Sequence, residues 1–235
     1  GPGASSLTID ANKGNFSIFS IDAGGNLTIS GLTVSGAQIT GNGGAFNNAG
    51  TLTVTNSTIS GNTANGGGGG IFNAGGANLN ISNSTLSGNS ATNSGGGIDN
   101  SGTLNIANTI IANSISGGDF AGTAPSTNTN NLVETLGTVI GTFTPAYTSD
   151  PILGPLQDNG GPTFTMALGA GSKAISTTPL VTPNLDQRGF TRSNNDIGSY
   201  AYLAPSAAND IVVSVNPSGQ VGLFLSSAGT AITDF

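Results

Sequence analysis

The chain has 235 residues, of which 39 are Gly, 11 are Asp or Glu and only four are Lys or Arg, for a formal net charge of −7. With no basic patch or stripe, that balance argues against nucleic acid and against anionic membrane surfaces as partners. Cys and His are both absent, which removes disulfide frameworks and thiolate metal sites, and no apolar run approaches the ~20 residues of a membrane helix.

Gly1-Pro2-Gly3 reads as a protease-cleavage scar left by a tag. Residues 4 to about 22 then form a first strand–turn–strand unit, in which Leu7-Thr8-Ile9-Asp10 and Phe16-Ser17-Ile18-Phe19 are separated by a turn at Lys13-Gly14-Asn15.

From Ile21 an imperfect repeat of about 25 residues takes over. The lines that align are Ile21 to Ile29, Phe46 to Val54, Ile71 to Ile81 with two extra residues, and Ile98 to Ile106. Seven residues past each Leu comes another aliphatic, namely Val34, Ile59, Leu86 and Ile111. Leu-x-Ile/Val is strand periodicity, and the Gly and Asn residues between the short runs mark turns. A unit this short cannot bury its own apolar face, so the units must stack, which predicts an all-β parallel β-helix over residues 4–145. Its interior ladders are Leu27, Leu52, Leu79 and Leu104 beside Ile29, Val54, Ile81 and Ile106. Gly31, Asn56, Asn83 and Asn108 occupy the following corner, where a left-handed backbone suits Gly and Asn, and a stacked Asn row there is expected to hydrogen-bond along the axis. Between Val34 and Phe46, Ile39-Thr40-Gly41-Asn42 matches Ile59-Ser60-Gly61-Asn62 better than Val34 does, which predicts a five-residue offset. No charged residue occurs between Asp22 and Asp99, as suits rungs on which identical charges would repel.

The period weakens between Ser116 and Thr148, although Leu132-Val133 and Thr138 to Phe143 still read as strands. Residues 146–203 are a different, Pro/Gly-rich module, expected to cap the open end of the helix. Residues 204–235 hold Ile211 to Val215 and Val221 to Leu225 around Asn216-Pro217-Ser218-Gly219, a β-hairpin extension or the start of a following domain.

Two sets of residues carry a resemblance. Gly43-Gly44-Ala45-Phe46, Gly68-Gly69-Gly70-Ile71 and Gly95-Gly96-Gly97-Ile98 alternate with Ile59-Ser60-Gly61-Asn62 and Leu86-Ser87-Gly88-Asn89. They resemble the GGAI and FxxN repeats of polymorphic outer-membrane proteins, with an aliphatic in place of Phe. Asp150 to Leu156, Asp158-Asn159-Gly160-Gly161-Pro162-Thr163, Ala174-Ile175, Asp186-Gln187-Arg188-Gly189 and Asp196-Ile197-Gly198 resemble the terminal region of bacterial choice-of-anchor repeat proteins. The resemblance covers roughly residues 5 to 203. It implies a right-handed parallel β-helix from a large secreted or cell-surface bacterial protein, with the tail completing or capping the solenoid. The chain departs from the pattern in having Ser199-Tyr200 after Gly198, where an acidic residue is usual, and in continuing past the tail without a sorting signal.

Asp186, Arg188, Arg192 and Asp196 form the densest ionisable group. They would be the catalytic set if this were a carbohydrate-active lyase, hydrolase or epimerase; as structural residues they would ion-pair within the cap. Asp150 and Asp158 read as turn-formers. Calcium is a candidate ligand for Asp and Asn oxygens, but Gly117-Gly118-Asp119-Phe120 is a lone fragment of the calcium nonapeptide pattern. The Gly66 to Gly70 run lacks the Lys and Ser/Thr of a phosphate loop and reads as a flexible corner. No other metal or cofactor is indicated. Thr28, Ser30, Thr53, Thr55, Asn80 and Ser82 are expected on a flat, uncharged outer face suited to glycans through hydroxyl and amide hydrogen bonds. Ice binding is a lesser alternative, because Thr gives way to Asn80, Asn105 and Ala107. The resulting expectation is a non-enzymatic, extracellular, adhesin-like module whose partners are glycans or other cell-surface proteins.

Overall fold

In a computed structural model the described residues are 8–176, 178–202, 211–215, 221–227 and 230–231, so Gly1-Pro2-Gly3, Leu7 and the turn Asn216-Pro217-Ser218-Gly219 lie outside them. Among the described residues there is no helix, and parallel stacked strands form a β-solenoid of about five turns.

Three main sheets run along the axis. Sheet A stacks Thr8–Asp10, Thr33–Ser35, Thr58–Ser60, Thr85–Ser87, Ile110–Ala112 and Leu132–Val133. Sheet B stacks Phe19–Ile21, Phe46–Asn48, Ile71–Asn73, Ile98–Asn100, Phe120–Thr123 and Leu136–Ile140. Sheet C stacks Asn26–Ser30, Thr51–Thr55, Asn78–Ser82, Thr103–Ala107 and Thr127–Thr129. A small sheet D adds Gln38–Ile39, Thr63–Ala64 and Ser90–Ala91.

The expected ladders stand in register. Leu27, Leu52, Leu79 and Leu104 are successive partners, as are Ile29, Val54, Ile81 and Ile106. Leu52, Val54, Leu79 and Leu104 are fully buried, while Leu27, on the first rung of sheet C, is covered from one side only and stays half-buried. Each fully buried aliphatic contributes roughly 1.5–3 kcal/mol by leaving water. Asn56, Asn83 and Asn108 take the left-handed backbone at φ 45°, 49° and 47°, stacked above Gly31 at 69°.

Three local expectations are corrected. Val34 pairs directly with Ile59 and Ile39 with Ala64, so the five-residue offset does not exist. Inward geometry, set by the strand, outweighs the local likeness of Ile39-Thr40-Gly41-Asn42 to the next coil. The Gly66 to Gly70 run is no loose corner, because Gly68, Gly69 and Gly70 donate to Ser94, Gly95 and Gly96 one coil on. A Cβ on Gly69 would collide with the Ser90 and Gly96 carbonyls, and only Gly lets the backbones approach so closely.

The axial side-chain hydrogen bonds also run mainly elsewhere than expected. In the corner row Asn130 donates to Asn108 Oδ1 at 2.7 Å, but Asn56 Oδ1 is buried without a partner. The continuous row is inside sheet B: Asn48 Nδ2 donates to Asn73 Oδ1 at 2.8 Å and Asn73 Nδ2 to Asn100 Oδ1 at 2.7 Å. All three side chains are fully buried, and their amides also cap corner groups at Gly50, Asn78, Gly102 and Thr103. A second row joins Asn62 to Asn89 at 3.1 Å, which gives the aliphatic-Ser-Gly-Asn motif its physical content.

The stack continues past the regular repeat, as expected, and Phe143 closes its last described turn edge-on against Phe120, 4.8 Å between ring centroids. The following segment starts on the last rung, where Ala146 and Tyr147 donate to the Asn131 carbonyl and Val133 donates to that of Tyr147, but it extends well beyond the end. Along the outer side of sheet A, Leu168, Ala174 and Ile197 pack on Ile110, Ala112 and Leu132 in a second apolar cluster. The outward residues of sheet A explain this: Thr33, Thr58, Thr85, Ile110 and Leu132 form a column that changes from hydroxyl to aliphatic and needs a cover. The hairpin is present, with Ile211–Val215 antiparallel to Val221–Ser227.

Replacing fully buried Ile59 by Asp places an unpartnered charge between Val34 and Leu86 and is expected to unfold the coils around it, at a cost above ~4 kcal/mol. Thr53→Ala, on the outside, is expected to stay within about 0.5 kcal/mol. Thermal melts of both variants check this, and similar melting temperatures would refute the inside/outside assignment.

Candidate functional site

Alternation along sheet C turns one set of side chains inward and sends the other to the surface. All six residues expected on this face are there. Thr28, Thr53 and Asn80 share one column, which Asn105 and Thr127 extend; Ser30, Thr55 and Ser82 share the next, which Ala107 and Thr129 extend. The first column is internally hydrogen-bonded, Thr127 Oγ1 donating to Asn105 Oδ1 at 3.0 Å and Asn105 Nδ2 to Asn80 Oδ1 at 2.9 Å. Those bonds hold the Asn80, Asn105 and Thr127 side chains in fixed positions.

A shallow, open depression of about 200 Å³ lies over these columns. Thr53, Thr55, Asn80 and Ser82 line it together with Asn105, Ala107, Thr127 and Thr129 and with Ile81 and Ile106 between the columns, whereas Thr28 and Ser30 are on the face but outside the depression. None of these side chains is ionisable. The sequence reading missed Thr127 and Thr129 because the last coil is shorter, with Thr127 paired to Asn105 at a separation of 22 residues. The alternation Thr127-Asn128-Thr129 was the available signal. The mixture of Thr, Asn and Ala along the columns lacks the uniform repeat that ordered ice would require.

The four charged residues of the tail come together but not on a groove. Asp186, Arg188, Arg192 and Asp196 are 3%, 0%, 1% and 2% exposed. Arg188 donates twice to Asp186 Oδ2, from Nε at 2.8 Å and from Nη2 at 2.6 Å, and its guanidinium is stacked 3.7 Å from the Tyr200 ring centroid and 4.8 Å from that of Phe190. Asp186 also accepts the backbone N–H groups of Arg188, Phe190 and Ala201. Asp196 accepts those of Ser176 and Tyr202, both at 2.8 Å, and Arg192 donates to the carbonyls of Asp196 and Gly198. Every carboxylate oxygen of the set is engaged within the tail and both acids are buried, the arrangement of ion-paired structural residues.

What the cluster does is hold the tail's loops in shape while Gln187, between Asp186 and Arg188, reaches the solenoid. Its Oε1 accepts from Thr58 Oγ1 at 2.6 Å, and its Nε2 lies 3.1 Å from Thr33 Oγ1 and 2.9 Å from Thr163 Oγ1. Ser199, at the position where the resembled pattern has an acid, bonds Thr58 and Thr85 through its hydroxyl at 2.9 and 3.1 Å. Gln187 escaped the sequence reading because nothing local to Asp186-Gln187-Arg188-Gly189 says which sheet it will meet.

Asp150 and Asp158 are turn-formers as expected, accepting from the N–H groups of Ile152 at 2.7 Å and Gly160 at 2.9 Å. Asp119, in the calcium-like fragment, is 1% exposed and spends its oxygens on the N–H groups of Ser114 and Thr135. Among the described residues no three His, Cys, Asp or Glu converge as metal ligands.

No family model, no curated protein and no solved structure matches the chain.

Arg188→Met keeps the bulk but strands Asp186 as a buried, unpaired charge. The expected cost is about 3–5 kcal/mol, confined to the tail, so limited proteolysis should cut within 150–202 while the coils stay protected. Uniform cleavage of tail and coils would disprove that confinement.

Burial pushes the carboxyls of Asp99, Asp119 and Asp196 above the usual 3.8, against their hydrogen bonds. Each therefore binds its proton more tightly folded than unfolded. The stabilisation that results is full below the unfolded value and is lost as pH rises through the raised folded one. Melting temperature is expected to rise between about pH 7 and about pH 4, and calorimetry showing a fall would contradict this.

Proposed function

We propose that this chain is a non-enzymatic β-helical module of a large bacterial surface or secreted protein, which acts as a stiff spacer and makes adhesin-like contacts through the outer face of sheet C. The observation that carries this reading is the pair of in-register columns around Thr53, Thr55, Asn80 and Ser82: neutral, solvent-facing and, from Asn80 through Asn105 to Thr127, ordered by their own hydrogen bonds.

The chemistry of that face supports a glycan as the ligand. Hydroxyl and amide groups both donate and accept, as do sugar hydroxyls, and an uncharged surface selects by hydrogen-bond pattern rather than by long-range attraction. The face is broad and shallow, which suits several weak contacts spread along a polymer or a cell surface more than one deep pocket. Extracellular location follows from that ligand class within this reading.

A glycan-array screen followed by calorimetric titration tests it. Neutral oligosaccharides are expected to be retained, and Asn80→Ala combined with Asn105→Ala to weaken the best of them by about tenfold, the effect of losing one to two net hydrogen bonds. An array without hits at millimolar ligand, or turnover of any glycan by the chain, would overturn the proposal.

A further inference from the structure

The outer column of sheet B differs in kind from that of sheet C. In its register Ser20, Asn47, Phe72, Asp99 and Ala121 follow one another. Strand alternation buries the residues on either side of Asn47, Phe72 and Asp99 and leaves these three half-exposed on the outside. Phe72 is the one aromatic at an outward strand position of sheets A to D among the described residues, and it belongs to neither apolar cluster of the molecule. Its ring is therefore not serving the core.

Its two neighbours are polar and differently equipped. Asp99 is held to one side by Ser94, whose hydroxyl donates to Oδ2 at 2.6 Å, and it leans over Gly67, where any Cβ would collide with that oxygen. Oδ1 receives no hydrogen bond among the described residues and is not sealed from solvent. No Lys or Arg occurs between Lys13 and Lys173, so the sequence around this column supplies no cation to pair with Asp99. Asn47, on the other side of Phe72, offers an amide donor and acceptor. Two interstrand steps separate Asn47 from Asp99, about 9.6 Å between backbones, which is the scale of one hexose ring with its hydroxyls.

We propose that Asn47, Phe72 and Asp99 form a second binding site, for one neutral pyranose ring, on the outer face of sheet B. The apolar C–H face of the sugar lies on the Phe72 ring; a hydroxyl at one edge donates to Asp99 Oδ1, and a hydroxyl at the opposite edge exchanges hydrogen bonds with the Asn47 amide. Acidic sugars are disfavoured by the Asp99 carboxylate and the absence of a cation. A quaternary ammonium would use the ring and the acid but leave Asn47 idle. The site stands apart from the sheet C columns and does not depend on their binding anything.

The full chain, with its Phe residues carrying carbon-13, is titrated by NMR with methyl glucoside, methyl galactoside, methyl mannoside, N-acetylglucosamine and tetramethylammonium. A saturable shift of the Phe72 ring is expected with at least one neutral sugar. Phe72→Ala and Asp99→Asn should each weaken that sugar's binding by about tenfold or more, followed through the Asn47 amide signal, while Gln38→Ala, at an exposed position of sheet D, leaves it unchanged. Phe72→Leu, which keeps bulk but not a flat ring, serves if Phe72→Ala fails to fold. No saturable shift with any sugar, undiminished binding in Phe72→Leu, or tighter binding of tetramethylammonium than of every sugar would overturn the proposal.

Discussion

Vertical register is the constraint from which the rest of this molecule follows. In a parallel stack each inward side chain touches its counterpart one coil away, so Leu52, Leu79 and Leu104 form a single continuous object. An aliphatic column tolerates this because apolar burial has no direction. A polar column tolerates it only if every member completes its neighbour, as Asn48, Asn73 and Asn100 do. Differences in coil length are accordingly pushed out of the sheets and into corners: the two extra residues of the third unit fall between Asn73 and Leu79, leaving both flanking strands in register.

The same constraint shapes the outside. Columns of like residues on a sheet face are either left to solvent, as on sheet C, or covered, as on sheet A. The cover brings groups matched to what it meets. Gln187 and Ser199 satisfy the hydroxyls of Thr33, Thr58 and Thr85, and Ile197 and Leu168 meet the aliphatic end of the column. The ion pair of Asp186 and Arg188 lies behind this contact and shapes the loop that presents Gln187. Buried ion pairs commonly organise structure at little net gain in stability, and here the organising role is visible in the backbone N–H groups that Asp186 collects.

The ladders and the left-handed Asn corners were legible in the sequence because strand alternation and backbone sterics act locally and repeat. The outward positions of Thr28 to Ser82 followed by parity. The offset predicted near Ile39 failed because a short likeness between segments weighs less than the depth to which Val34 is buried. The Asn48 row was hidden for a related reason: Asn beside Gly reads as a turn residue, and only the stacked coils show that its amide points inward. The site of tail docking was beyond reach. Asp186-Gln187-Arg188-Gly189 states its internal bonds plainly but carries no information about which of three polar faces it will settle on. Phe72 was overlooked because one aromatic in a repeat reads as core until the parity of its strand is known.

The tail reaches the solenoid at Gly31 and Thr33, at Thr58, at Thr85 and at Asn108 and Asn130, so it is anchored on successive turns from near the start of the rod to near its end. In a repeat array each unit contacts only its neighbours, so an added unit would meet copies of its old neighbours. Here such an event would shift every later anchor by one rung against a strap of unchanged reach. The strap thus works as a gauge: its anchors fit one number of turns between Gly31 and Asn130, and a longer or shorter stack would leave some of them unmet.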